Sequence, residues 1–540
     1  MSTLWTTPLG ALAVLFLSAS LLILAGRRLP DRWRTALPAW LIGGALLLWI
    51  VLRFQTAQPM NLWVWEAPLG LSTALGFTLD GWAWLAGLGT TLLAFTAVTL
   101  PGWRSRPGFV DPRHWSLLAL AFALVVVLAD TWISLLAAWA ALMLFLGLAA
   151  GGVTPRAAKA WGVGILSTLF LLMASLLNGL DSLGTALSGQ TLNAQAQLLI
   201  VLAAALHIGV YPFHLWLVPE QHRAPGRHLI LHLLAGLAAL HLLGRFDLPL
   251  LASQAWVPLG IVALLGSALA AWADPNAERS WVYVLINRGV WTVLIVGLTR
   301  LPSPLGAIFP LAVLALGGAL WGIARIAPYR ARWSLPHLLA AAIFLGLPFT
   351  PGFASNAMLG QLAGSLIGLP GWLLTLLAQT LLVAALFRHP RPRLSEAEAA
   401  SQGAPRGVTI ALVLTAILAL WWGVFPASLA NLTGQALTAA HTNPLAQIRD
   451  AGWPGWVTLL FPLLIGLALA LRDEQLFGQL RGWQMNLAFV AGLDWLYGGL
   501  ERILRIVNTA LGTLSDLLDG AGQFGWVLLA ALVAWILFGG

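Results

Sequence analysis

The sequence predicts an all-α polytopic membrane protein of about 16 transmembrane helices. Mean hydropathy over the 540 residues is +0.86, and only 9% of the residues are charged, a balance that soluble domains do not have. Apolar runs long enough to cross about 30 Å of hydrocarbon as helices recur along the whole chain. The 29 tryptophans fit the two interfaces of a membrane, where an amphipathic indole is stable.

The composition excludes several kinds of site. The chain has no cysteine, so disulfides, iron–sulfur clusters and thiolate metal sites are excluded in it. The sequence pI of about 11.1 does not indicate nucleic-acid binding, because the basic residues lie mainly in short loops between apolar runs. No phosphate-binding loop, nucleophile constellation or carboxylate cluster is present. We therefore predict no active site, metal site or cofactor in this chain.

Apolar runs define the predicted spans in order. The first has no positively charged segment before it and is followed by Arg27 and Arg28, which indicates a retained helix and not a cleaved signal. The predicted spans are 8–25, 38–53, 81–100, 115–129, 131–150, 161–179, 194–217, 228–245, 255–272, 282–299, 304–324, 335–353, 366–387, 408–423, 455–471 and 523–538.

The basic residues then predict the topology. Odd-numbered loops contain 21 of the 28 basic residues, whereas even-numbered loops contain only Arg53, Arg245, Arg300 and Arg449. Positive charge is enriched in cytoplasmic loops, so the odd loops are expected in the cytoplasm and both termini outside. The expected location is the inner, cytoplasmic membrane.

The spans and polar segments divide the chain into sections. The segment 483–522 mixes apolar and charged positions, which predicts an amphipathic helix along the cytoplasmic surface or against a partner. The predicted sections are 1–114 with helices 1–3, 115–246 as a first five-helix repeat, 247–365 and 366–388 as a second, 389–407 as a cytoplasmic linker, 408–482 with helices 14 and 15, the amphipathic segment 483–522, and a terminal helix in 523–540.

Two of the predicted helices are broken. Pro212 lies in the seventh span, and Pro348 and Pro351 lie in the twelfth. A proline removes one backbone donor and frees a carbonyl, so each helix must bend or break. The two spans are the fourth members of spans 4–8 and 9–13, and an odd number of helices inverts the second group. Matched breaks in inverted repeats predict an ion path near the membrane midplane.

Histidines are concentrated beside the first break. An unperturbed imidazole has a pKa near 6.5 and can exchange a proton at ordinary pH, so this clustering indicates an ion path. The alternative is a kinked structural helix with hydrogen-bonded core histidines. Six of the ten histidines lie here: His207, His214, His222, His228, His232 and His241.

The first break also carries a family resemblance. Its residues 211–217, YPFHLWL, followed by HRAP at 222–225, resemble the PFHxWLPDAHxAPTP signature of the antiporter-like membrane subunits. These subunits occur in respiratory complex I, membrane-bound hydrogenases, multisubunit cation/proton antiporters and some inorganic-carbon uptake systems. Weaker similarities are found in LDG at 79–81, LAD at 128–130 through Trp139, LGLP at 345–348 through Phe353, and DWLY at 494–497, the last similar to the C-terminal extension of the largest such subunits.

The resemblance implies ionisable residues that this divergent member lacks. Ala140 stands where the family has a glutamate after the tryptophan of the fifth helix, and His207 stands where it has a lysine. By our alignment the lysines of the eighth and twelfth helices fall on Leu237 and Asn356. The eleventh span, 304–324, contains no ionisable residue.

Several polar residues remain as candidates for a proton path. His207 is the first candidate, and His232 lies near the usual histidine of the eighth helix. Arg288 interrupts the tenth span, where a buried cation needs a partner or a water-filled cavity. Asn356, His228 and His241 complete the set.

These residues leave two mechanistic interpretations. A proton relay needs titratable groups or ordered water along its whole length, and Ala140 and Leu237 cannot carry a proton. One interpretation is a largely degenerate canonical path, with the chain retained for architecture or for coupling its partners. The other is modified conduction through His207, other histidines and water.

Three functions remain open. The first is a non-catalytic membrane subunit of a proton- or cation-translocating complex related to complex I, with quinone reductase or hydrogenase as the oxidoreductase class. The second is the proton-conducting membrane subunit of an inorganic-carbon uptake complex with a soluble zinc partner, for which the linker 389–407 would be the docking site. The third is a purely structural assembly module. The expected partners are the lipid bilayer and other membrane subunits, not nucleic acid.

Overall fold

The computed structural model describes residues 8–519 and residue 527. Gaps within this range fall at 55–58, 67–71, 104–109, 151–154, 180–185, 188–189, 215, 219–224, 253–255, 299–304, 327–332, 363–367, 389–405, 435–448, 450–451, 474, 476–477 and 479–480. The last predicted span, 523–538, lies almost wholly outside the described residues, as do His222 and most of the predicted linker. In the described part of the chain, 12 helices are long and apolar enough to cross a membrane.

The described residues in the first half of the chain form eight helices and a β-hairpin. Short turns of 3₁₀-helix follow the first two helices, at Gly26–Arg28 and Leu52–Phe54. The elements are α1 (Pro8–Ala25), α2 (Asp31–Val51), β1 (Pro59–Glu66), β2 (Ser72–Thr78), α3 (Gly81–Thr99), α4 (Pro112–Leu128), α5 (Trp132–Ala149), α6 (Pro155–Leu177), α7 (Ala194–Ile208) and α8 (Pro225–Leu243).

The regular elements in the second half of the described chain are all helices. A 3₁₀ turn at Pro249–Ala252 leads into it. The helices are α9 (Trp256–Ala273), α10 (Ala277–Leu298), α11 (Leu305–Ala324), α12 (Leu335–Leu345), α13 (Pro351–Leu362), α14 (Gly368–Arg388), α15 (Arg406–Val424), α16 (Pro426–Leu432), α17 (Gly452–Leu471), α18 (Arg481–Ala491) and α19 (Asp494–Asp519).

Helix α3 lies at the centre of the fold. Its residues from Trp82 to Val98 are all buried, and it contacts α2, α4, α8, α11 and α15. Helices α1, α6, α15 and α17 instead expose large apolar side chains, among them Leu17, Ile165, Ile417 and Leu464. An apolar exterior around a buried helix is the arrangement of a bundle solvated by lipid, and the chain is an all-α polytopic membrane protein.

The β-hairpin was not among the sequence predictions. β1 pairs with β2 in an antiparallel register, and β2 joins the bundle through a bridge between Phe77 and Ala129. Thr131 at the start of α5 fixes the hairpin further, because its hydroxyl donates to the Ala74 carbonyl. The strands contain two tryptophans, two threonines and one valine, residues that favour extended chain, but the segment is too short and too polar to be recognised in a search for spans.

Both broken helices end in the same way. The Gly209 amide donates to the Leu206 carbonyl and the next amide donates to the Ala205 carbonyl, which is a Schellman motif. The same pair of bonds closes α12 around Gly346. Each glycine has the left-handed conformation, with φ of 69° and 63° respectively, which costs a glycine little. The glycines therefore end the helices, and the prolines come afterwards.

Beyond each break, the chain departs from the predicted span. The seventh span was expected to continue to residue 217, but α7 ends at Ile208 and the chain then runs through turns. The twelfth span was expected to end at residue 353, but Pro351 begins α13, which continues to Leu362. Pro351 at a first helical position is well placed, because its missing N–H would have no partner there.

Two helices contain a π-helical segment. The segment Ile230–Leu234 interrupts α8 and Val313–Gly317 interrupts α11. Such segments contain one residue more than the α-helix around them needs and are common at functional sites. His232 lies inside the first of these segments.

The predicted amphipathic segment forms two helices, α18 and α19. They meet at Gly492 and at Leu493, whose φ is 58°. Helix α19 has 26 residues and would be about 39 Å long at the usual rise. Its apolar side chains Ile503, Ile506 and Leu511 are exposed, as expected for a helix that lies on a membrane surface or a partner.

Candidate functional site

His207 lies at the last turn of α7 in a small hydrogen-bonded cluster. The His207 Nδ1 is 2.9 Å from the Ser167 hydroxyl, and the Trp139 indole donates to that same hydroxyl at 2.8 Å. The Trp139 and His207 rings stack with centroids 3.9 Å apart. Ser167 in turn lies 3.0 Å from the Ala203 carbonyl. The imidazole is fully buried, and its Nε2 has no hydrogen-bond partner among the described residues.

The positions where the family has other ionisable residues lie elsewhere. Ala140 is exposed on the outside of α5, next to the buried Trp139. Leu237 is fully buried in α8. Neither residue contributes a polar atom near His207, so Trp139 and Ser167 provide its surroundings. Sequence reasoning missed Ser167, whose only signal was a hydroxyl, beside that of Thr168, in a largely apolar stretch of α6.

The remaining candidate histidines form two further groups. The His232 Nε2 donates to the Leu217 carbonyl at 3.2 Å, which satisfies backbone in the first break. His228 and His232 have ring centroids 6.2 Å apart. His241 is separate from them and stacks on Trp82, whose indole donates to the His241 carbonyl.

Tryptophans separate the His228 pair from the next histidine along a row of rings. The row runs His232, His228, Trp281, Trp321, His337, with centroid distances of 6.2, 5.8, 6.4 and 5.0 Å. Trp281 and Trp321 donate to each other's carbonyls at 3.4 Å. An indole N–H is a donor only, so neither tryptophan can accept a proton and pass it on.

Arg288 lies in the middle of α10 and is fully buried. Its guanidinium donates to Asn287 Oδ1 at 2.6 Å, to Gln379 Oε1 at 3.2 Å and to the Phe344 carbonyl at 2.5 Å. It also lies 5.4 Å from the Trp291 ring. None of the salt bridges in the described residues includes Arg288, so its acceptors are neutral oxygens.

Asn356 and Arg288 share the second helix break. The Asn356 side-chain amide donates to the Leu345 carbonyl, next to the Phe344 carbonyl that Arg288 holds. These carbonyls belong to the last turn of α12 and have no partner within the helix. Pro348 and Pro351 follow in the connection to α13. The neighbouring Ser355 hydroxyl is buried, without a partner among the described residues.

Helix α10, which carries Arg288, contacts the end of α7 at the first break. A Cβ on Gly289 would lie 2.7 Å from Ile208, so α10 passes directly beside the end of α7. Arg288 immediately precedes Gly289 in the sequence, and His207 immediately precedes Ile208. The structure therefore places His207 and Arg288 on adjoining helices and leaves His241 apart from them.

The junction of α18 and α19 lies against the first break. The Tyr497 hydroxyl donates to the Pro212 carbonyl, and the Tyr211 hydroxyl donates to the Ala491 carbonyl at 3.0 Å. Arg279 bridges Asp274 at 3.0 Å and Asp494 at 2.9 Å. Burial raises the pKa of Asp274 above its usual range, against the opposing effect of Arg279. Three of the four tyrosines in the sequence, including Tyr283, meet at this junction.

Known proteins match this chain only in structure. No protein-family model and no curated protein matches the sequence. A chain of the Mrp complex from Dietzia sp. DQ12-45-1b matches with a TM-score of 0.74 and 20% identity over 98% of this chain. This chain spans 62% of that protein's length. A chain of the membrane-bound sulfane sulfur reductase, an archaeal respiratory membrane complex, matches with a TM-score of 0.69 and 16% identity, covering 98% of this chain and 99% of the other.

The chain has the fold of the antiporter-like membrane subunits. The resemblance seen around Pro212 is thereby confirmed at the level of the fold. Within this antiporter-like fold, the described residues contain no group of three or more histidine or acidic side chains arranged to hold a metal ion. The polar residues buried in this part of the chain include the His207 cluster, the His228 pair and the Arg288 site.

Proposed function

We propose that this chain is a membrane subunit of a multisubunit proton- or cation-translocating complex, in which it has an architectural and coupling role. Two structures of this fold belong to membrane complexes, which supports the assignment to a larger assembly. The exposed apolar residues of α19 support contact with neighbouring membrane subunits. The bias of arginines toward odd-numbered loops supports an inner-membrane orientation with both termini outside.

The observation that carries the architectural role is the interruption of the polar interior. None of the sixteen predicted spans contains an aspartate or glutamate. Trp281 and Trp321 separate His228 from His337 with indoles that cannot relay a proton. Arg288 lies on the same helix as Trp281, and a guanidinium does not release its proton at physiological pH. We therefore propose that this chain has no continuous proton route through titratable groups.

A second candidate is modified proton conduction through His207. Its support is a buried imidazole that Ser167 holds in place and whose Nε2 has no hydrogen-bond partner in the part of the chain that the structure describes. A proton accepted there would rest on a ring stacked against Trp139, whose face favours a cation. Conduction would still require ordered water beyond His207.

His207→Leu distinguishes the two candidates. We expect the variant to assemble with its partners and to leave proton flux of the native complex unchanged, measured with a pH-sensitive dye in membrane vesicles. Thr168→Val, on the same helix as Ser167, is the matched control, because its hydroxyl bonds only to its own helix at Gly164. Loss of flux with full assembly would establish conduction through His207 and reject the purely architectural role.

Purification of the tagged chain in mild detergent identifies the complex. Co-purifying redox subunits would support the relation to respiratory complexes. A single soluble zinc protein would instead support an inorganic-carbon uptake system. Recovery of the chain alone would reject both assemblies.

A further inference from the structure

The Arg288 site resembles a cation site that is already filled. Three neutral oxygens surround the guanidinium: Asn287 Oδ1, Gln379 Oε1 and the Phe344 carbonyl. The last belongs to the final turn of α12, where the unpaired carbonyls carry the negative end of the helix dipole. Carbonyls freed at broken membrane helices are the groups that coordinate cations at such depth.

Two of the three oxygens, Asn287 Oδ1 and the Phe344 carbonyl, are held in position independently of Arg288. The Asn287 amide donates to the Leu264 carbonyl at 2.9 Å and to the Ser267 hydroxyl at 3.0 Å, which turns its Oδ1 toward the guanidinium. The Phe344 carbonyl is fixed because α12 ends in the Schellman motif around Gly346. A preformed set of oxygens can bind a cation without the entropic cost of first ordering them.

The charge of this oxygen set indicates the class of cation. Calcium and magnesium sites in proteins rely on carboxylates, and none of the hydrogen bonds of Arg288 in the described residues goes to a carboxylate. Amide and backbone carbonyl oxygens alone suit a monovalent cation. The dipole of α12 adds only about half an elementary charge, which also favours single positive charge.

We propose that the second helix break is a binding site for a monovalent cation, which the chain fills permanently with the guanidinium of its own Arg288. A tethered cation that stays charged blocks entry of any mobile cation at this break. The break is thereby closed to cation traffic whatever the state of His207. This proposal concerns binding at the break and does not depend on the complex to which the chain belongs.

Chemical rescue of Arg288→Ala tests the proposal. The full-length variant is purified in mild detergent with N-methylglucamine as the only buffer cation, and its Tm is measured as guanidinium is added to roughly 10 mM, far below unfolding concentrations. We expect a Tm several degrees below wild type, and a saturable rise with guanidinium that recovers at least half of the loss. Potassium should give a smaller rise, and the wild-type Tm should not respond.

Two further variants test whether the rescue occurs at this site. Arg288→Met places an unbranched apolar side chain in the space that Arg288→Ala leaves open, and its Tm should not respond to guanidinium. Arg288→Ala combined with Gln379→Leu removes one oxygen, and the guanidinium concentration at half-maximal rescue should rise at least tenfold. A response of Arg288→Met equal to that of Arg288→Ala would place the binding elsewhere and overturn the proposal, as would no response of Arg288→Ala.

Arg288→Lys keeps the proposal testable if Arg288→Ala does not fold. Lysine retains a cation at the oxygens, whereas methionine of similar length does not. We expect a higher Tm for Arg288→Lys than for Arg288→Met. An equal or lower Tm would show that the oxygens do not require a cation, and the proposal would be wrong.

Discussion

Ser167 determines which nitrogen of His207 carries the proton. Its oxygen accepts a hydrogen bond from the Trp139 indole, and its single hydrogen is satisfied by the Ala203 carbonyl. With that hydrogen directed to Ala203, we infer that His207 Nδ1 donates to Ser167 and that Nε2 is the basic atom. In this arrangement each N–H or O–H donor of Trp139, Ser167 and His207 has a neutral acceptor. The contact joins residues 40 positions apart, so no sequence pattern could have predicted it.

Ser167→Ala should destabilise the protein and release the histidine. The Trp139 indole loses its acceptor in a buried place, which costs about 1–3 kcal/mol. Thermal unfolding in detergent measures this loss, and ¹⁵N NMR of labelled histidine should show His207 as a mixture of tautomers. Thr168→Val on the same helix should change neither measurement. A single unchanged tautomer in Ser167→Ala would contradict the role given to the hydroxyl.

Glycines set the spacing of the elements around the second break. A Cβ on Gly423, near the end of α15, would overlap the Phe349 carbonyl in the connection between α12 and α13. Phe349 itself has a φ of 63°, an unusual conformation for a residue with a side chain. Helix α15 can therefore approach the break only where it has no side chain, as is common between membrane helices.

Gly423→Ala should lower stability by about 1–3 kcal/mol or more, because helix α15 or the break must shift. Gly44→Ala is the matched control in α2, where an added Cβ meets nothing within 4 Å. There alanine should be neutral or stabilising by up to about 1 kcal/mol. Both values are measured by thermal unfolding. Equal effects of the two substitutions would rule out a close approach at Gly423.

The sequence predicted helical elements better than their ends. Apolar runs located the helices because a span must satisfy its own backbone in lipid. The prolines indicated two breaks, but the glycines at 209 and 346 end the helices. The hairpin at 59–78 gave no comparable signal, since a short strand pair needs no long apolar run. The tyrosines at the α18–α19 junction were also missed, because their partners lie up to 285 residues away.

On the molecule as a whole, exposed apolar side chains are found on two kinds of helix. The exposed residues on α1, α6, α15 and α17 belong to helices that span the bilayer and need only lipid. Helix α19 is not among those spans, and it is fixed to the bundle at its first turn by Tyr497 and Asp494. An exposed apolar face on an anchored helix is a surface for another subunit or for the membrane interface.

Replacing Ile503, Ile506 and Val507 of α19 together with serine should weaken association with neighbouring subunits. The three side chains are exposed in the isolated chain, so the Tm of the purified chain should stay within about one degree of wild type. Recovery of partners in a mild-detergent purification should fall at least tenfold. Asn508→Ser and Thr509→Ser on the same helix are the controls. Unchanged recovery would exclude this face as a subunit contact.

The π-helical segments in α8 and α11 also affect how sequences of this fold diverge by insertion or deletion. Each is equivalent to a one-residue insertion, and one residue turns an α-helix by about 100°. Deleting a residue from 230–234 would remove the π segment from α8. The part of the helix on one side of the deletion would then rotate relative to the other part, and His228 and Leu237 would lose their present relative orientation. A single codon gained or lost here thus repositions half a helix at once. Ungapped comparison of this helix with a relative lacking the bulge would pair residues that face different neighbours.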